Sequence, residues 1–246
     1  MDRRSASNRP RPSRPLGWQV VPKGSGGTRR IVVLDPADEA AFARSVITLV
    51  PTVRRALGPE SHASRVAGWD PHRGLLLEPW RQARRRWQDE VRRMGSQRHR
   101  VAVTDVRECY GSIASWVVEQ RLQAIGAPED GIDEVRSWLR AFREAGVEGL
   151  PVGPVASAVL ADAVLAAGDD ALRRAGASFI RWVDDVVIFA SDRRGRGAAL
   201  DALRAAWASL GLEMHELKTV VVDDPRHLAE SLGRVSNMRP ATSTLR

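Results

Sequence analysis

Apolar positions recur along this chain with two distinct periods, and the switches between them mark its elements. Ile132, Val135, Leu139 and Phe142 fall three and four residues apart, which predicts an amphipathic helix over about 130–145, broken by Gly146 and Gly149. An alanine-rich run over 155–174 predicts a long buried helix, and 195–210 predicts another. Pro36 opens a helix carrying Phe42, Val46, Ile47 and Val50, which Pro51 can kink and Gly58-Pro59 ends. From Pro79 a further helix runs to about Met94, with Trp80 and Trp87 seven residues apart on one face. A helix over about 112–124 completes the set.

Short apolar runs give the strands. Val101 to Thr104 reads as a buried strand ending on Asp105. Phe179 to Val183 and Val186 to Phe189 are apolar runs separated by Asp184-Asp185, a β-hairpin with carboxylates at its turn. Leu212 to Met214 and Thr219 to Val222 read as short strands. Near the start, a glycine-rich segment, Lys23 to Arg30, joins two short strands and carries basic residues at its tip. Residues 60–73 show no period and read as irregular. From Val101 the order is β-α-β-β-α-β, that of a ferredoxin-like split sheet, so the fold class is α+β. In that sheet the first strand neighbours the hairpin, which brings Asp105 beside Asp184 and Asp185.

Composition narrows the class. The chain has 246 residues and 43% hydrophobic content, sufficient for a core. Lysine and arginine total 38 against 30 acidic residues, a net charge of +8 that favours a polyanionic partner. Residues 1–19 form a proline-broken basic arm, and arginines crowd 81–93. Cys109 is the sole cysteine, so no intramolecular disulfide forms and a reducing, cytoplasmic setting is expected. No apolar run reaches the length of a membrane span, and the basic N-terminus lacks the apolar core of a secretory signal.

The chemistry sits at the strand ends. Three carboxylates gathered there repel one another unless a positive charge lies among them, and a divalent cation with oxygen ligands meets that need. An ordinary charged turn is the plain alternative for Asp184-Asp185.

Several segments, in order, resemble the reverse transcriptase family, in particular bacterial forms related to retron, group II intron and phage-defence enzymes. Val103 to Ile113, with Asp105 and Tyr110, resembles the first palm motif. Gly149-Leu150-Pro151-Val152-Gly153-Pro154-Val155-Ala156-Ser157 resembles the second. Phe179 to Phe189 resembles the Tyr-x-Asp-Asp hairpin, with Trp182 in place of the tyrosine. Leu210 to Thr219 resembles the motif ending in Lys-Thr, with His215 at its usual asparagine. Lys23 with Gly26-Gly27-Thr28-Arg29 resembles the fingers segment, and His62 to Val66 weakly resembles another.

The resemblance implies a right-hand polymerase, with fingers over 20–100, a palm over 101–225 and a short tail over 226–246. It implies two Mg²⁺ ions, or Mn²⁺, on Asp105, Asp184, Asp185 and the Val106 carbonyl. Lys218 would protonate departing pyrophosphate, and a hydrogen bond from His215 would support it. Lys23 and Arg29 would hold the triphosphate. Tyr110 would lie under the sugar and exclude a 2′-hydroxyl. Val152 stands where the family often has glutamine, Gly153 would allow close approach of nucleotide or primer, and Ser157 would hydrogen-bond the template. The implied reaction is RNA-directed DNA synthesis from an RNA template, a primer and dNTPs, in a setting such as phage defence. Two alternatives stay open: a template-independent or protein-primed DNA polymerase, and a non-catalytic nucleic-acid-binding subunit. Only 28 residues follow Lys218, so a helical thumb is not expected. Its grip would come from a second copy, a partner protein or a structured non-coding RNA, docking near Trp182 and the segment from Leu228.

Overall fold

The computed structural model describes residues 17–22, 27–70, 74–97 and 100–223. Its centre is a four-stranded antiparallel sheet of β5 (Arg100–Thr104), β6 (Ser178–Trp182), β7 (Asp185–Ala190) and β8 (Val220–Val222). The spatial order is β6-β7-β5-β8. With intervening helices, this is the ferredoxin-like arrangement expected from the element order. The register pairs Thr104 with Val186 and Trp182 with Asp185. One step further along, Asp105 stands opposite Asp185, and strand alternation turns both to the same face.

Each face of the sheet is buried against helices for a readable reason. On one side lie α5 (Ser115–Ala124), α7 (Val155–Arg174) and α8 (Arg193–Ala208). There Ala102, Phe179, Val186 and Ile188 join the main core. The alanine-rich sequence of α7 suits its place, because small side chains let neighbouring elements approach from several directions. At Gly168 a Cβ would lie 2.6 Å from the Trp207 indole nitrogen. On the opposite side α3 (Trp80–Gln97) packs Ala83, Trp87 and Val91 against Val101, Val103, Val187 and Phe189. Trp87 is buried there, but Trp80 is 37% exposed and lines the cleft described below, so the two rings do not share one buried face.

The N-terminal part builds outward from these layers. α1 (Pro36–Ile47) and α6 (Glu129–Glu144) join through Phe42, Trp138 and Phe142, whose ring centroids lie 5.1–5.8 Å apart. The predicted stripe of α6 is fully buried. Glu39 of α1 accepts a 2.9 Å hydrogen bond from the Val155 N–H, satisfying an N-terminal donor of α7 with a group of the sign its dipole favours. α2 (Val50–Ala56) is separate from α1 and carries Pro51 in its first turn, and α4 (Cys109–Ser112) is a single turn after β5.

Four expectations change. β1 (Gly17–Pro22) pairs with β2 (Thr28–Val33) from Gly17 onward, so the last residues assigned to the basic arm belong to a strand. Residues expected to be irregular contain β3 (Val66–Asp70), which pairs with β4 (Gly74–Leu77) across a bulge near Gly68. The expected strand at Leu212 to Met214 reduces to a bridge between Met214 and Val106, because the Leu212 N–H is taken by Trp207 O at the end of α8. Trp182 is 8% exposed against Trp87 and Arg84, so it is not an open docking surface. The tip residues Lys23 to Gly26, the arm over 1–16 and the tail from 224 lie outside the described residues. No helix among the described residues is long and apolar enough to cross a membrane.

Candidate active site

A cleft of about 1250 Å³ opens where β5, the β6–β7 turn, the β1–β2 ribbon and α3 meet. Asp105, Asp184 and Asp185 lie on its wall with Val106, Tyr110, Val152, Gly153, Arg29 and Lys218. Asp105 ends β5 and is 2% exposed. Its Oδ2 accepts a 2.7 Å hydrogen bond from Lys218 Nζ. Its Oδ1 is buried and has no hydrogen-bond partner among the described residues. Val106 follows as a bridge residue: Arg107 N–H bonds Glu213 O and His215 N–H bonds Asp105 O, which leaves the Val106 carbonyl outside that pair.

The hairpin turn supplies the other two carboxylates. Burial, and then the charge of Asp105, push the Asp184 pKa up to about 6, against the opposing pull of Arg29 and Lys218. Asp185 is driven well above the usual carboxylate range by burial, then by Asp184 and Asp105, with Arg84 and Lys218 opposing. For Asp184 and Asp185, burial and then the charge of the neighbouring acids outweigh the pull of the nearby cations. An orphaned carboxylate oxygen and this unrelieved repulsion fit a hard divalent cation with oxygen ligands. Among the described residues, no three His, Cys, Asp or Glu side chains already close around an ion position. Lys218 instead holds the Asp105 oxygen that such an ion would claim.

The remaining expected residues divide. Arg29 sits on β2, half-buried at the cleft, close enough for its charge to act on Asp184. Tyr110 lines the cleft half-buried, its phenol pKa raised by burial. Val152 lines it too, and its carbonyl accepts a 2.7 Å bond from the Val32 N–H. Gly153 has φ +129° and a Cβ there would lie 2.4 Å from Val32 O. Its glycine is thus demanded by contact with β2, whereas the expectation was approach by nucleotide or primer. Ser157, expected to face a template, is completely buried in α7 with its hydroxyl unpartnered, and it does not line the cleft. His215 meets Lys218 through backbone, its carbonyl accepting the Lys218 N–H at 2.9 Å. Cys109 is buried, with its thiol pKa raised by desolvation, and serves packing.

Arg84, expected in the basic strip over 81–93, instead turns inward at the site, and Arg181 carries no expectation from sequence. Arg84 of α3 stacks on Trp87 and Trp182, 4.0 and 5.0 Å from their ring centroids, and its charge reaches Asp185. Arg181 lies fully buried beneath the turn, paired with Asp162 and Asp169.

Residues 21–232 match the family described as "Reverse transcriptase (RNA-dependent DNA polymerase)". The chain belongs to the reverse transcriptase family. Solved structures of similar fold include telomerases. Apo telomerase from Candida tropicalis matches at TM-score 0.57 and 12% identity, covering 90% of this chain and 46% of that one. Telomerase from Candida albicans, in complex with a TWJ fragment of telomeric RNA, matches at TM-score 0.55 and 13% identity, covering 83% of this chain and 41% of that one. This reverse transcriptase chain thus spans about half the length of those structures or less. None of the curated proteins matches it in sequence.

Proposed function

We propose that this chain is an RNA-directed DNA polymerase that extends a primer 3′-hydroxyl with deoxynucleotides, its central sheet acting as the palm. The observation that carries this reading is the shared field of Asp105, Asp184 and Asp185 at one cleft, with Asp105 Oδ1 unpartnered. A pure binding role gives no return for such mutual repulsion, whereas polyphosphate chemistry requires cations at this place. Asp105, Asp184 and the Val106 carbonyl would hold them, with Asp185 alongside. Mg²⁺ or Mn²⁺ bound there supplies charge that acidifies a 3′-hydroxyl and offsets the charge of departing pyrophosphate.

The chain's own groups account for the rest. Arg29 binds the triphosphate, its planar fork suited to phosphate oxygens. Tyr110 supports the sugar and leaves no room for a 2′-hydroxyl. The primer 3′-oxygen bonds to the α-phosphorus, its proton passes to solvent, and the α–β phosphoanhydride bond breaks. Lys218, freed from Asp105, donates a proton to the pyrophosphate. An RNA template is supported by the family, described as RNA-dependent DNA polymerase.

The test is extension of a labelled DNA primer on RNA by the purified full chain with dNTPs and Mg²⁺ or Mn²⁺. Template-dependent products that disappear in Asp105→Asn are expected. Incorporation that ignores template sequence would replace this reading with template-independent synthesis. Nucleic-acid binding without incorporation under either metal would replace it with a binding subunit.

A further inference from the structure

The turn that presents Asp184 is built from an unfavourable residue. Trp182 pairs with Asp185, so the loop between β6 and β7 contains only Val183 and Asp184. Val183 has φ +55° and Asp184 is not in the left-handed region, the pattern of a II′ hairpin. That first position ordinarily belongs to glycine, because a β-branched side chain clashes with its own backbone there. Something outside the turn must hold it.

Arg181 meets that need. Its side chain points to the α7 face of the sheet and is completely buried. Nη1 donates to Val183 O at 2.7 Å and to Asp162 Oδ1 at 2.8 Å. Nε and Nη2 make a forked pair with Asp169, at 2.9 Å to Oδ1 and 2.9 Å to Oδ2. Asp162 and Asp169 are seven residues apart on α7, two turns of one face, so a rigid helix fixes the guanidinium. The Arg181 backbone is pinned as well, with its N–H on Glu60 O at 2.8 Å and its carbonyl accepting from His62 N–H at 3.1 Å. Every attachment of this side chain runs either to α7 or to the carbonyl just before Asp184.

We propose that Arg181 is a positioning residue for polymerisation: anchored by Asp162 and Asp169, it holds the Val183 carbonyl, keeps the strained turn in its left-handed form and so aims Asp184 into the cleft. This rests on the polymerase reading above. A buried ion pair is weak evidence of stability in itself, because desolvation offsets much of its attraction. The link to Val183 gives this one a task that a stabilising pair would not need. Lysine keeps the charge that balances the two acids, but its point-like ammonium cannot serve both carboxylates and the carbonyl together.

The experiment compares wild type, Arg181→Lys, Val183→Gly and the double variant. Four readouts are primer-extension kcat and KM for dNTP, Mn²⁺ affinity of the nucleic-acid-free protein by electron paramagnetic resonance, primer–template affinity, and the melting curve. Arg181→Lys is expected to lower kcat by about 100-fold, the scale of an ångström-level misplacement, and to weaken Mn²⁺ binding. KM and primer–template affinity should stay within about threefold, because Arg29 and the basic surface are untouched. Glycine accepts positive φ without clash, so Val183→Gly should restore about tenfold of the lost kcat in the Arg181→Lys background. If Arg181→Lys does not fold, Asp169→Asn with and without Val183→Gly replaces it, with the same pattern expected. Equal kcat and Mn²⁺ affinity in Arg181→Lys and wild type would overturn the proposal. So would a kcat loss that Val183→Gly leaves unchanged, or one that matches the lost fraction of folded protein. An inactive wild type refutes the polymerase reading instead, and the Mn²⁺ comparison still decides the role of Arg181.

Discussion

Replacing Asp184 with asparagine should make the metal-free protein more stable while removing a cation ligand. The native state raises the Asp184 pKa from 3.8 to about 6, so it binds this proton more tightly than the unfolded chain does. Between those two values the native state holds more protons, and stability therefore falls as pH rises through that window. The loss is complete above about pH 6. At about 1.4 kcal/mol per pKa unit, the charged side chain costs roughly 3 kcal/mol at neutral pH. Asparagine has nearly the same shape without the charge, so it should recover about 2–3 kcal/mol. For a chain of this size that raises the melting temperature by roughly 4–12 °C. The assay is a denaturant or thermal melt of both proteins in a chelating buffer, at about pH 8 and about pH 3.5. At the acidic end wild-type Asp184 is neutral in the native state and mostly neutral in the unfolded chain, so the advantage should shrink to a few tenths of a kcal/mol. Saturating Mg²⁺ at about pH 8 should shrink it as well, because the ion stabilises only a native state that binds it. An asparagine variant no more stable than wild type at about pH 8, or an advantage that persists unchanged in acid, would refute the argument that unrelieved charge strains this turn.

Two further outcomes are expected. Gly153→Ala forces a Cβ to 2.4 Å from Val32 O at φ +129°, and should cost about 2–4 kcal/mol in a urea melt, whereas Gly197→Ala, with open space around it on α8, should be neutral or stabilising. Tyr110→Ala, which opens the cleft wall beneath the sugar, should raise the efficiency of rNTP relative to dNTP incorporation; an unchanged ratio would remove Tyr110 from that role.

The elements with strong period were legible in the sequence. The α6 stripe and the alanine-rich α7 stand where the apolar pattern placed them, and so does the β6–β7 hairpin except that its turn is Val183-Asp184, one residue earlier than read, with Asp185 opening β7. β3 escaped because Gly68 and its bulge interrupt the alternation that marks a strand. The hairpin of β1 and β2 was legible, but the start of β1 was read as arm because nearly all of that strand is exposed and carries no buried face. Of the site, the meeting of Asp105 with Asp184 and Asp185 follows from strand order, whereas Lys218 was legible only through the resemblance of its segment to the family's Lys-Thr motif. Ser157 did not follow, since a serine in an alanine-rich helix reads the same whether it faces a groove or the core. Arg181 was missed although a signal existed. A lone arginine inside the apolar run of β6, and two aspartates seven apart on a helix otherwise fit for burial, are charges that burial permits only as partners.

The bond from Val32 N–H to Val152 O places a fulcrum under the β1–β2 ribbon. Arg29 stands three residues out from it along β2, a lever arm of about 10 Å at strand rise. On such an arm, a tilt of about 10° sweeps the guanidinium by roughly 2 Å, the difference between a hydrogen bond made and one broken. The crowding of Gly153 against Val32 keeps the pivot close to the cleft wall, so a tilt there would displace Arg29 far more than the base of the ribbon.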